Sequence, residues 1–343
     1  MTTTTIAYAL VPSPEHNLDS HPENVGRFQH LERILEEPAL AAHLHQITPR
    51  PATEEELTRI HPRTYLEALQ RAIAQGPGYI DYAPTYVTPG SYQAALNAAG
   101  ATLQIAEAVA RGEAQSGFAL VRPPGHHATP TAAMGFCLLN NLAVAVRKVQ
   151  ALGFRRVMIV DFDVHHGNGT QDAFESDPDV LYLSTHQSGI YPGSGYLDDT
   201  SQGMGKGTVV NIPLPGGVGD LAFAAIAEQV IVPLAERFAP EFVLVSAGFD
   251  SHWRDTLAGM QLTCHGYYDL ALSLVDIARR HCGGRLVFVL EGGYDPEALA
   301  GSVQAVLFAL AGEPCPPDPL GSAPYTPPDI GPLLQNVIAI HGL

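Results

Sequence analysis

Two hydrophobic rhythms alternate along the chain. Short apolar runs at 118–121, 157–160, 180–183, 242–245 and 286–290 read as buried parallel strands, and polar or glycine-rich segments come directly after them. Between and before them, residues 94–111, 139–152, 220–238 and 266–280 carry helical periodicity. Strand alternating with helix predicts an α/β fold, a parallel sheet covered by helices on both faces. The 343 residues suit one large domain. The one shift in composition is the Pro-rich stretch 313–332, read as an irregular surface connection before a short final segment, 333–340. Too little chain remains after it for a second core. The expectation is a single domain with its core at about 6–312 and the tail 313–343 packed on it.

Composition narrows the function classes. Apolar residues make up 46% of the chain and charged residues 15%, enough for a substantial core and against disorder. The net charge of -17 argues against a nucleic-acid groove, which rests on Lys and Arg, and leaves a cationic ligand or plain solubility as its meaning. Cys137, Cys264, Cys282 and Cys315 form no Cys-x-x-Cys pair, so neither a thiolate zinc cluster nor a disulfide scaffold is expected, and a reducing cytoplasm fits. The first ten residues lack a basic segment followed by an apolar one, and no apolar run is long enough to span a membrane. A soluble, unexported protein without membrane partners is the expectation.

The chemistry lies in the segments just beyond the strands. Arg122-Pro-Pro-Gly-His126-His127 comes after the first, Asp161-Phe-Asp163-Val-His165-His166-Gly-Asn168 after the second, Ala247-Gly-Phe-Asp250 after the fourth and Glu291-Gly-Gly-Tyr294 after the fifth. Open parallel sheets bind ligands outside the carboxyl ends of their strands, so these segments should converge. Asp161, Asp163 and His165, at i, i+2 and i+4 of an extended segment, would face one side. The Asp163-x-His165 pair with Asp250 could supply an O/N/O set that leaves a metal ion one open position, the mark of a catalytic site. His126 and His127 need partners to fix their tautomers, and Asp161 and Asn168 are available. A carboxylate raises imidazole basicity far more than an amide, so the two histidines should differ in pKa. Tyr294 follows two glycines that let backbone approach a ligand closely, and its hydroxyl could donate to an oxyanion. Taken singly, each has a plainer reading: a capping Asp-x-His, an N-cap at Asp250, two loop histidines, a turn aromatic. Their company favours chemistry.

These segments, with Gly135-Phe-Cys-Leu-Leu-Asn-Asn141 and His21-Pro-Glu-Asn-Val-Gly-Arg27, resemble the histone deacetylase family across about residues 6–312 in the same order. The resemblance implies an arginase/deacetylase-like fold with one zinc ion at the bottom of a narrow tunnel. By it, Asp163, His165 and Asp250 are the metal ligands, His126 and His127 the tandem histidines partnered by Asp161 and Asn168, and Tyr294 the transition-state tyrosine. Asn168, where class I members carry Asp, and the form Glu291-Gly-Gly-Tyr294 are similar to class II and related bacterial amidohydrolases. Phe136 and Tyr191 match the tunnel walls, although the family more often has Phe at position 191, and Gly135, Leu257 and Gly293 match other substrate-contacting positions. Structural potassium is also implied: Asp161, Asp163, His165, Ser184 and Thr185 match a site near the zinc, and Phe174, Asp177 and Val180 a more distant one.

The expected reaction is metal-assisted hydrolysis of the amide of N-acyl lysine, in peptides or proteins, or of a similar acylated amine. Zinc and Tyr294 would polarise the carbonyl, and His127 would take and return a proton. A ureohydrolase on the same fold is the first rival, but Ser246-Ala-Gly-Phe-Asp250-Ser-His lacks the second Asp two residues on that a dinuclear cluster needs. A non-catalytic acyl-lysine binding protein is the second, and retention of every catalytic group speaks against it. In polyamine-selective relatives a Glu gatekeeper lies seven residues after the third ligand; here that position is Leu257, which leans the reading towards acyl-lysine over acetylpolyamine.

Overall fold

The computed structural model describes residues 4–81, 84–201 and 203–343. Ten strands form among the described residues, β1 (Ile6–Val11), β2 (Leu44–Gln46), β3 (Gly78–Tyr79), β4 (Tyr86–Val87), β5 (Ser116–Val121), β6 (Val157–Asp161), β7 (Val180–Gln187), β8 (Val209–Leu214), β9 (Phe242–Ala247) and β10 (Leu286–Leu290). Eight of them make a parallel sheet in the order β2-β1-β5-β10-β9-β6-β7-β8, and β3 pairs with β4 antiparallel apart from it.

Each central strand buries both faces, with alternate side chains entering different cores. Phe118 and Leu120, Met158 and Val160, Val243 and Val245, and Leu286, Phe288 and Leu290 pack with the helices Cys264–His281 and Pro296–Ala311. Their neighbours Ala119, Val121, Val157, Ile159, Leu244, Val287 and Val289 pack with the helices Ser91–Ala110 and Asn141–Ala151. Double burial removes the polar alternation of a half-exposed strand, which is why these segments read as continuous apolar runs.

All five predicted strands are present. The expectation overlooked β1, β2 and β8, which extend the sheet at its edges. The periodic stretch 220–238 is helical throughout, but a π turn at Ala227–Ile231 separates Asp220–Ile226 from Val232–Phe238. The stretch 313–330 is irregular, and the segment expected at 333–340 is the helix Gly331–His341. Leu334 and Val337 join the core beside Leu234, and Arg237 Nη1 donates to the carbonyl of His341. Among the described residues no helix is long and apolar enough to cross a membrane.

Candidate active site

The four segments singled out in the sequence follow β5, β6, β9 and β10, and these four strands are contiguous at the sheet centre, ordered β5-β10-β9-β6. Sheet order therefore brings residues from 126 to 294 to one carboxyl edge.

Strand β6 ends at Asp161, and Asp163 and His165 lie in an irregular loop, not in the extended segment expected. They share a side because side chains grip backbone: Asp161 Oδ1 accepts from Asp163 N (3.2 Å), Asp163 Oδ1 from His165 N (2.9 Å) and Asp250 Oδ1 from Val164 N (2.9 Å). His165 Nδ1 ends 3.2 Å from Asp163 Oδ1 and 3.1 Å from Asp250 Oδ2. Asp163 Oδ2 accepts from Gly292 N at 2.8 Å, and a Cβ on Gly292 would overlap both carboxylates, so this glycine is required for the close approach.

Both aspartates are fully buried, and among the described residues their ion pairs are with histidines alone. Burial opposes a charge on His165, yet hydrogen bonds and charge from Asp163 and Asp250 push it up to about 10. Asp250 is raised by burial and by the charge of Asp163. Two buried carboxylates with one imidazole between them call for a cation, and an O/N/O set suits zinc. The residues fit the metal.

His126 Nδ1 lies 3.1 Å from Asp161 Oδ2, which also accepts from the hydroxyl of Tyr182. His127 Nδ1 lies 2.8 Å from Asn168 Oδ1. An amide oxygen only accepts, so Nδ1 of His127 carries the hydrogen and Nε2 keeps a lone pair. The two rings sit 4.0 Å apart but titrate in opposite directions. Burial works against protonated His126, but the carboxylates of Asp163, Asp161 and Glu291 outweigh it and raise it to about 10. Burial and the charges of His126 and His165 hold His127 well below the usual imidazole range.

His127, His165, Tyr294, Gly135, Phe136, Tyr191, Leu257 and Pro84 line one cavity of about 240 Å³. Phe136 stands at φ 69 after Gly135 at φ 57, a backbone strained for an aromatic residue. Its N–H donates to Thr85 Oγ1 (2.8 Å), and its ring packs edge-on to His21 and Tyr294. Burial keeps the Tyr294 phenol protonated, well above its ordinary pKa, and hence a donor. Gly293 is not among the lining residues; its carbonyl accepts from Arg27 Nε at 2.7 Å behind Tyr294. The hydroxyl of Tyr191 is buried, and among the described residues it has no hydrogen-bond partner.

Of the positions matched to potassium, Ser184 pairs with Asp161 across β6 and β7, and Thr185 Oγ1 lies 3.5 Å from the carbonyl of Asp161. At the distant place, Phe174, Asp177 and Val180 are joined by turn hydrogen bonds, and the Arg147 guanidinium already pairs with Asp177 and covers the Phe174 ring at 4.7 Å.

Sequence reasoning left several supporting residues without a role. Glu23 is fully buried between Arg27 and Arg122, and Arg27 Nη2 donates to the carbonyl of Glu291 (2.6 Å). Glu291 accepts from Gly125 N (2.6 Å) and His126 N (3.0 Å), fixing the tandem-histidine loop. Glu23, Arg27 and Glu291 lay inside recognisable motifs, but only burial reveals their roles. A second group, His252, Cys264 and Asp318, has the proximity of a metal site. It lacks the tautomer: His252 Nδ1 accepts from Arg254 N (3.2 Å), so the hydrogen sits on Nε2, the atom facing Cys264.

Comparisons with known proteins place this geometry. The histone deacetylase domain matches residues 21–310. Histone deacetylase 14, chloroplastic, from Arabidopsis thaliana is 43% identical over 325 residues, spanning 90% of this chain and 77% of that protein. A histone deacetylase-like amidohydrolase from Pseudomonas aeruginosa is 39% identical over 295 residues, 85% of this chain and 77% of the relative. The crystal structure of the HDA15 HD domain superposes with a TM-score of 0.89 at 36% identity, covering 99% of this chain and 95% of that one. With the fold, the order of the motifs and these relatives in agreement, the chain belongs to the histone deacetylase family and is a deacetylase that hydrolyses amides.

Proposed function

We propose that this deacetylase removes acyl groups from lysine side chains in peptides or proteins, or from similar acylated amines, using one zinc ion held by Asp163, His165 and Asp250. The observation that carries the reading is the single cavity walled by Phe136 and Tyr191, which reaches His127, His165 and Tyr294 together. An unbranched alkyl chain suits a cavity walled by Phe136, Tyr191 and Leu257 whose lining also holds His127, His165 and Tyr294.

The ion supplies Lewis-acid polarisation of the carbonyl and a water of lowered pKa. The rest falls to the protein. His127 Nε2, left with a free lone pair by the Asn168 contact, takes a proton from the attacking water and delivers it to the leaving amine nitrogen as the C–N bond breaks. The Tyr294 hydroxyl donates to the developing oxyanion, a contact typically worth about 3–4 kcal/mol. The protonated His126, paired with Asp161, offsets negative charge beside it. The products are a carboxylic acid and a free amine, which part as carboxylate and ammonium at neutral pH.

Among the described residues, the groups suited to a metal give this site a single O/N/O set, which supports one ion over the dinuclear cluster of a ureohydrolase. Leu257 at the cavity, in place of a carboxylate, supports acyl-lysine over acetylpolyamine. A structural potassium at Asp161, Asp163, His165, Ser184 and Thr185 belongs to the same reading, and the pairing of Arg147 with Asp177 leaves less support for a second at Phe174, Asp177 and Val180.

The test is a panel of acyl-lysine peptides and acetylpolyamines with the purified protein, alongside elemental analysis of wild type and Asp250→Ala. Turnover of acyl-lysine with zinc present, and loss of both in the variant, is expected. An active preparation without metal, or undiminished zinc in Asp250→Ala, overturns the metal assignment.

A further inference from the structure

Two walls of the cavity are tied to one carboxylate outside it. Asp255 Oδ2 accepts the N–H of Tyr294 at 2.6 Å, and Oδ1 accepts that of Leu257 at 2.9 Å. Leu257 and Tyr294 both line the cavity, but they come from different loops, one after β9 and the other after β10. Asp255 is anchored in turn by its own N–H, which donates to the carbonyl of His252 at 2.9 Å. Its neighbour Arg254 ties the same two loops again through Asp295 at 3.1 Å.

Tyr294 needs such a tie. It follows Gly293, at φ 115, and no regular element fixes it until the helix beginning at Pro296. Its ring is held by Arg27, whose guanidinium lies 4.9 Å from the ring centroid, and by the edge of Phe136. Those contacts set the ring, whereas the Asp255 bond sets the backbone from which it projects. A carboxylate there is costly, because burial and the charge of Asp250 push Asp255 up to about 7. A neutral Asn or Ser closes an ordinary turn without that cost.

We infer that Asp255 is a positioning residue for deacetylation: it fixes the Tyr294 backbone so that the phenol hydroxyl meets the oxyanion, and it locks Leu257 of the cavity wall to the same point. The inference rests on the reading of Tyr294 as oxyanion donor. The side chain acts through Tyr294 and touches no substrate.

The test is a double-mutant cycle on an acetyl-lysine peptide. Asp255→Asn keeps the shape but offers one acceptor oxygen for two N–H groups. Its kcat should fall by about tenfold or more with KM changed by less than about threefold, since the lost contact acts in the transition state. In a Tyr294→Phe background the same substitution should cost less than about twofold, there being no hydroxyl left to misplace. Asp255→Ser retains a turn acceptor for Leu257 but cannot reach Tyr294, and should reproduce the kcat loss if Asp255→Asn folds poorly. Zinc content and thermal midpoint should stay at wild-type levels in the variant that is read. Equal losses with and without the Tyr294 hydroxyl, or unchanged kcat in both Asp255 variants, overturn the inference. Tyr294→Phe with wild-type kcat removes the assignment of Tyr294 itself and the inference with it, whereas a deep Tyr294→Phe loss beside unaltered Asp255 variants removes the inference alone.

Discussion

Asn168→Asp changes one atom in the partner of His127 and should move the pH dependence of the enzyme. The tandem histidines differ in the group that faces their Nδ1 atoms, a carboxylate at 3.1 Å for His126 and an amide oxygen at 2.8 Å for His127. His126 stands at about 10, while His127 is held well below the ordinary imidazole value. A carboxylate in place of the Asn168 amide should raise His127 by about 1–3 pKa units, equivalent to about 1.4–4 kcal/mol between its protonation states. The substitution should fold. Residue 168 lies in the first turn of the helix Asn168–Phe174, where an acidic side chain is favourable, and the amide donors lost are long contacts, 3.4 Å to the carbonyl of His127 and 3.3 Å to Met134 Sδ. His127 acts as base only when unprotonated, so raising its pKa shifts the acid limb of kcat/KM to higher pH by about 1–3 units. The assay is a pH profile of kcat/KM on an acetyl-lysine peptide for both proteins, with zinc content checked. An acid limb that stays where wild type has it, in a folded and zinc-loaded variant, refutes either His127 as the base or Asn168 as the group that tunes it.

Three further outcomes are expected. Leu257→Glu should raise kcat/KM for acetylpolyamines relative to acetyl-lysine peptides by about tenfold to a hundredfold, less at high salt; a strong acetylpolyamine preference in the unmodified enzyme would sink the gatekeeper argument. Burial holds His61, His166 and His252 down at about 4 and His186 at about 3, so they stay neutral in the fold while the unfolded chain takes up protons first. Their contribution is complete above the unfolded pKa of about 6.5 and is lost as pH falls from there towards the folded values, up to about 3 kcal/mol for each group at about 4 and about 5 kcal/mol for His186. The urea midpoint should therefore drop on acidification, and less steeply in His61→Gln, where the bond from Asn140 N to the ring no longer competes with a proton; a midpoint indifferent to pH contradicts this. Glu23→Gln should destabilise by about 3–5 kcal/mol in urea unfolding, because Arg27 and Arg122 would stay buried without their counter-charge; a loss below about 1 kcal/mol would show that the network is better solvated than its burial indicates.

The central strands were legible because burial on both faces writes itself into the chain as unbroken apolar runs, and a run is a local property. The edges were not. Strand β8 carries Asn211 and Pro213 within Val209–Leu214, residues tolerated at the rim of a sheet that interrupt the pattern, and β2 is three half-exposed or exposed residues. Much of the site was legible for the same local reason: Asp161, Asp163 and His165, or His126 and His127, are near neighbours in sequence, so their chemistry could be weighed before any contact was known. What only the tertiary structure decided is how those segments meet. Sheet order sets β5, β10, β9 and β6 side by side, and a loop gripped by Asp161, Asp163 and Asp250, not an extended strand, turns the ligands together. Asp255, Glu23 and Arg122 matter through partners distant in the chain, Asp255 on Tyr294 and Glu23 on Arg122. Hydrophobic periodicity reports each residue's own exposure, whereas the worth of a buried charge depends on which distant group folding places beside it.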